Sequence, residues 1–96
     1  MLAPRITQKQ VKDGLRSELW RHDRRDPAWE ARSCRVLGGS VSFREQRHTG
    51  HKGRLFTVTA YTGIESRRWD SQTFESLKGA VEWANARRQS AVDATA

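Results

Sequence analysis

The sequence of 96 residues predicts one small α+β domain, ordered as a helix, a three-stranded antiparallel meander and a second helix (α-β-β-β-α). An amphipathic segment with a helix-start signal near the N-terminus predicts the first helix. Alternating apolar and polar residues, separated by glycine-containing turns, predict the strands. An apolar stripe at helical spacing predicts a second helix packed on one face of the sheet. A chain of this length has room for a single core.

The first helix is expected to begin at a capping box. Thr7 and Gln10 have the T-x-x-Q spacing in which each side chain can bond the other's free backbone N–H. Ile6 precedes the cap and Val11 follows it by four positions, which is the spacing of a hydrophobic staple. Residues that recur every fourth position should form the buried face of this helix: Val11, Leu15 and Leu19.

The predicted strands follow a charged segment. Strand one covers residues 35–47, in which Gly38 and Gly39 indicate a bulge, a bend or a later start of the strand. A glycine-containing hairpin loop leads to strand two at 55–61, and strand three covers about 65–74. We expect either Trp69 or Arg68 of strand three to face the core, since a bulge would exchange their orientations.

The C-terminal helix is predicted to start at Ser76, which serves as N-cap, while Phe74 closes the core of the sheet. The apolar stripe of this helix consists of Leu77, Ala80, Val81 and Ala84. The predicted organisation is a helix at 6–21, an arginine-rich connector at 22–34, a sheet at 35–74, a helix at 76–89 and a loose tail at 90–96.

Three further side chains are expected in the core. Trp20 and Trp29 are placed to close it between the first helix and the sheet. Cys34, close to Val36, is expected to be a small apolar core residue.

Composition favours a polyanionic partner in a reducing compartment. The formal net charge is +7, and 14 of the 18 basic residues are arginines, whose planar guanidinium groups pair with phosphates. One cysteine cannot form an internal disulfide, which fits a reducing compartment. The sequence contains no signal-peptide pattern and no run of about 18 apolar residues. We therefore expect a cytoplasmic protein with no membrane partner.

One stretch resembles a known DNA-binding family. The run from Thr73 to Ala84, with Phe74, Ser76, Ala80 and Trp83, is similar to the end of the N-terminal arm-binding domains of phage and conjugative-transposon tyrosine integrases. The resemblance implies a three-stranded sheet on one helix, with the exposed sheet face in the DNA major groove. Gly79 departs from it, because that family usually has glutamate there. These 96 residues contain no recombinase catalytic domain, so we expect no strand cleavage.

Two other resemblances imply different activities. The order of elements is also similar to that of the double-stranded-RNA-binding fold, which places a lysine cluster at the start of its second helix. Here that segment holds one lysine, Lys78. The run Thr49-Gly50-His51 is similar to the Gly-Ser-His loop of HicA-type ribonuclease toxins but lacks the serine.

The sequence therefore predicts a non-catalytic nucleic-acid-binding module that prefers duplex DNA. The alternative is a small phage- or mobile-element-type inhibitor that binds an acidic protein surface. No catalytic residues, metal ligands, cofactor or small-molecule substrate are expected, since the histidines His22, His48 and His51 match no zinc spacing with Cys34. The candidate contacts lie on the polar sheet face and the adjoining loop: Arg44, Gln46, Arg47, Lys52, Arg54, Thr57, Thr59, Arg67 and Arg68.

Overall fold

A computed structural model describes residues 5–62 and 68–95, with the side chains of 5–61 and 70–87. The α+β class is confirmed, but the antiparallel sheet has five strands in chain order rather than three. The elements are α1 (Gln8–Arg16), β1 (Arg21–His22), β2 (Trp29–Val36), a 3₁₀ turn (Leu37–Gly39), β3 (Val41–His48), β4 (Arg54–Thr62), β5 (Arg68–Phe74) and α2 (Leu77–Thr95).

Strand β2 corrects the prediction of an arginine-rich connector. It pairs with β3 along its whole length, from Trp29 opposite His48 to Val36 opposite Val41. Two of its residues that face the helices, Glu30 and Arg32, are charged, so the strand lacks the apolar alternation that indicates a half-buried strand. Their charges are balanced by residues of β3, which the sequence order does not reveal.

Gly38 and Gly39 belong to the turn that connects β2 to β3. Leu37, Gly38 and Gly39 have φ values of 56°, 68° and 94°, all in the left-handed region. Glycine adopts this conformation without a side-chain clash, and the three residues turn the chain from β2 into β3. The strand predicted at 35–47 therefore begins at Val41, which agrees with the later start left open above, while Arg35 and Val36 belong to the preceding strand β2.

The predicted start of α1 is confirmed, but the helix is shorter than predicted. The Thr7 hydroxyl accepts a hydrogen bond from the Gln10 amide at 3.1 Å. Ile6 and Val11 are both buried, as the staple spacing predicts. The helix ends at Arg16, so Leu19 falls beyond it and is 84% exposed instead of buried.

Helix α1 lies very close to β2. A Cβ atom added at Gly14 would stand 3.0 Å from the Cys34 sulfur, so only glycine permits this approach without a shift. Cys34 packs against the core, as predicted. Glycine lowers the stability of a helix by about 1 kcal/mol relative to alanine, and the close packing of α1 on β2 offsets this cost.

Helix α2 covers the same side of the sheet as α1. The Ser76 hydroxyl accepts from the Gly79 amide at 3.1 Å, which confirms the predicted N-cap. The side-chain amide of Asn85 binds the backbone of Ile6. It accepts a hydrogen bond from Ile6 N and donates one to Ile6 O, both at 2.9 Å. The predicted apolar stripe belongs to one core cluster with Phe43, Val58, Phe56 and Phe74.

The C-terminal helix is longer than predicted. Helix α2 continues to Thr95, through most of the segment predicted as a loose tail. The orientations of Arg68 and Trp69 lie outside the described side chains.

We predict that Leu77→Ala lowers the free energy of unfolding by about 2–5 kcal/mol, because it empties a packed site between α2 and the sheet. Leu77 is 8% exposed. Leu19→Ala is the matched control: it removes the same atoms at a site 84% exposed and should change stability by no more than about 0.5 kcal/mol. Urea denaturation of both variants tests this, and equal losses would contradict the packing described.

Candidate nucleic-acid interface

The sheet has two unlike faces. Side chains alternate along each strand, and residues paired across strands share a face. Both helices pack on the face that carries Phe43 and Val58, which we call the covered face. The opposite face, which we call the open face, carries no helix among the described elements. The open face is therefore the broad surface available to a partner.

Two rows of polar side chains cross the open face. The register aligns Ser33, Arg44, Thr57 and Thr73 in one row. It aligns Arg35, Ser42, Thr59 and Ser71 in the next. Hydroxyl pairs join β4 to β5 in both rows, at 2.9 Å between Thr57 and Thr73 and at 3.4 Å between Thr59 and Ser71. Each row thus offers one guanidinium group and three hydroxyls.

The open face is positively charged. Arg35 and Arg44 are exposed, and neither forms an ion pair with a described carboxylate. Through the register, no Asp or Glu falls on this face within 29–36, 41–48, 54–61 and 70–74. Guanidinium and hydroxyl groups are the side chains that bind phosphate oxygens.

The predicted contact residues are divided between the two faces. Arg44, Gln46, Thr57 and Thr59 lie together on the open face, and Lys52 is exposed in the loop between β3 and β4. Arg47 and Arg54 pair with each other in the register but lie on the covered side. The backbone of Arg68 pairs with Thr62 at the start of β5, and Arg67 lies outside the described residues.

Arg47 and Arg54 belong to an ionic cluster around a buried carboxylate. Glu45 is 3% exposed and accepts from Arg32 at 2.6 Å and from Arg54 at 2.9 Å. Arg47 pairs with Glu30 at 3.4 Å. We call these five residues the covered-face cluster. Its arginines have carboxylate partners, which Arg35 and Arg44 of the open face lack among the described side chains.

Trp20 completes this cluster instead of filling an apolar core. The guanidinium carbons of Arg47, Arg32 and Arg54 lie 3.9, 4.4 and 5.8 Å from its ring centroid. Cation–π contacts of this kind hold the segment between α1 and β1 against the sheet. Trp29, the other tryptophan predicted to close the core, lies on the open face, where it meets His48 edge to face at 4.9 Å.

Several open-face residues were missed from the sequence. Ser33 and Arg35 align with the predicted contacts only through the pairing of β2 with β3, whereas Ser42 lies on β3 itself and pairs with Thr59. Because residues up to 34 were predicted to be a connector, their register could not be used. Of these three, Ser42 had a local signal in the sequence, because it alternates with Phe43 along the strand.

His48 and His51 contact each other through their rings, and Cys34 is a partly buried free thiol. His51 is exposed in the loop, and its ring centroid lies 4.9 Å from that of His48. Within 5–62 and 68–95, no group of three or more His, Cys, Asp or Glu side chains could hold a metal ion. Burial raises the pKa of the Cys34 thiol, and the nearby Glu18 carboxylate raises that pKa further. Cys34 is therefore a protonated thiol at neutral pH.

Comparison with protein-family models, curated proteins and solved structures finds no match to this chain. Among the helices in the described part of the chain, none is long and apolar enough to cross a membrane.

We predict that Glu45→Ala lowers the free energy of unfolding by at least about 3 kcal/mol, because it leaves the Arg32 guanidinium buried without its carboxylate. Asp70→Ala is the matched control. Its partner Arg87 is 2.6 Å away, but both side chains are close to half exposed, at 48% and 46%. That pair should contribute no more than about 1 kcal/mol. Thermal unfolding of the two variants compares them, and similar losses would show that the buried pair has no special role.

Proposed function

We propose that the protein is a non-catalytic nucleic-acid-binding module whose open face binds duplex DNA. The observation that carries the proposal is the separation of charge between the faces. The covered-face cluster has its own carboxylates, whereas Arg35 and Arg44 stand among hydroxyls, and the paired strands carry no described acidic side chain on that face. An excess of cations on one face supports binding to a polyanion.

The width of the sheet favours contacts to phosphates over contacts to paired bases. Neighbouring strands lie about 4.8 Å apart, so the axes of β2 and β5, the outer two of the four long strands, are about 14 Å apart. The major groove of B-DNA is about 12 Å wide, so the full face does not enter it as a three-stranded sheet is expected to do. The face is better suited to lie across the sugar-phosphate backbone, with Lys52 of the β3–β4 loop at its margin.

The helix-start segment favours DNA over duplex RNA in this proposal. Ser76 caps α2, and Lys78 is the one basic residue in its first turn, so this end lacks the lysine cluster that duplex-RNA binders place there. A cytoplasmic protein of a phage or mobile element, with its single thiol reduced, is consistent with the proposed role.

We expect the affinity for duplex DNA to fall steeply with salt. About four phosphate contacts, from the cations of the open face and its loop, give a slope of log affinity against log salt near −4. Fluorescence anisotropy of a labelled duplex at several salt concentrations measures this slope. A flat response, or no binding at low salt, would instead favour the alternative of a module that binds an acidic protein surface.

We expect Arg44→Ala to weaken DNA binding by about 1–3 kcal/mol, the loss of a charge-assisted contact to phosphate, while stability stays within about 0.5 kcal/mol. Arg47→Ala is the matched control, because Arg47 is on the same strand but belongs to the covered-face cluster. It should lower stability and leave the affinity of the folded protein unchanged. Anisotropy and thermal unfolding separate the two effects. If Arg47→Ala weakens binding more than Arg44→Ala does, the open face is not the interface.

A further inference from the structure

A hollow opens at the β1 edge of the sheet, lined by open-face residues, by the segment 18–23, and by Glu30 and Arg32 of the covered-face cluster. It has a volume of about 560 Å³, within the range of about 300–1,000 Å³ typical of ligand sites. Its floor is Ala31, which the register places between Arg21 of β1 and Gln46 of β3. The hollow forms because this small side chain is surrounded by long ones: Arg21, Trp29, Arg44 and Gln46.

The polar groups that face the hollow suit a nucleotide. Trp29 offers an indole ring, and its contact with His48 holds that ring in place. Gln46 offers an amide of the kind that pairs with the edge of a base. Arg21 and Arg44 are exposed cations on either side of the floor, and guanidinium groups bind phosphate.

Three carboxylates also line the hollow, those of Glu18, Asp23 and Glu30, and two of them have described partners. Glu30 pairs with Arg47 on the covered face. Asp23 accepts a hydrogen bond from the backbone amide of Arg25 at 2.8 Å. Glu18 lies near the Cys34 thiol, whose side chain packs on the covered side. Within the paired strands, the charged residues of the hollow that share the face of Ala31 are Arg21 and Arg44.

We propose that this hollow binds the base of an unpaired nucleotide that adjoins a duplex. The inference rests on the proposed function and deepens it. A face wider than the major groove reaches phosphates more readily than paired base edges, so a base is read only if it leaves the helix. An unpaired base can stack on Trp29 while its flanking phosphates meet Arg21 and Arg44.

The test compares DNA duplexes of equal length by fluorescence anisotropy. One is fully paired, one carries a single unpaired base, and one carries an unpaired abasic nucleotide in the same position. The protein should bind the duplex with the unpaired base about tenfold more tightly than the other two, as expected of one stacked base. The abasic duplex has the same backbone, so it separates recognition of the base from recognition of a distorted helix.

Two variants probe the hollow in different ways. Ala31→Leu fills it without changing charge, and Trp29→Ala removes the stacking surface. Each should abolish the preference and keep the affinity for the fully paired duplex. Gln72→Leu is the control, because it places an apolar side chain at an exposed position of β5 on the other face and should keep the preference. Thermal unfolding verifies that each variant is folded.

The outcomes distinguish the two proposals. Equal binding of all three duplexes with a steep salt dependence would overturn the hollow and leave the DNA-binding function standing. If Ala31→Leu and Trp29→Ala weakened binding to every duplex, the proposal that the hollow binds an unpaired base would also be overturned. The two residues would then contact any duplex and not an unpaired base in particular. Failure to bind any duplex would overturn both.

Discussion

The buried carboxylate of Glu45 is the interaction on which the rest of this structure depends. Its two oxygens accept from Arg32 of β2 and Arg54 of β4, so one side chain joins three adjacent strands beneath the helices. The guanidinium groups held in this way also lie over Trp20, which directs the chain from α1 to the edge of the sheet. A buried charge is costly unless it is paired, so the cluster forms as a unit.

The same interaction determines the electrostatics of the two faces. Acidic side chains of the central strands are used on the covered face, where Glu30 and Glu45 meet arginines. The positive charge of Arg35 and Arg44 on the other face is then without a described counter-charge. Side chains alternate between the two faces along β2 and β3. This alternation places the ion pairs on the covered face, and it places Arg35 and Arg44 on the open face.

The hollow follows from the same register. The short strand β1 pairs only with Glu30 and Ala31, so it brings Arg21 beside the small residue of β2. Trp20 fixes the segment just before β1 through its contacts on the covered face. The covered-face cluster therefore shapes the hollow at the edge of the sheet, because Glu30 and Arg32 belong to both and the connecting segment crosses the edge there.

The sequence by itself determined the elements whose signals are local: the Thr7 and Ser76 caps, the apolar stripe of α2, and the alternation that separates Phe43 from Arg44. These depend on neighbours within a few residues, which is the range over which helix and strand periods act. Only the tertiary structure decided that residues 29–36 form a strand and that Arg47 and Arg54 belong to the covered face. Strand β2 carries charges where a buried strand usually carries apolar groups, and the partners of those charges lie on β3. Pairing between distant charges leaves no periodic trace in the sequence, so the register that assembles the candidate interface became evident only in three dimensions.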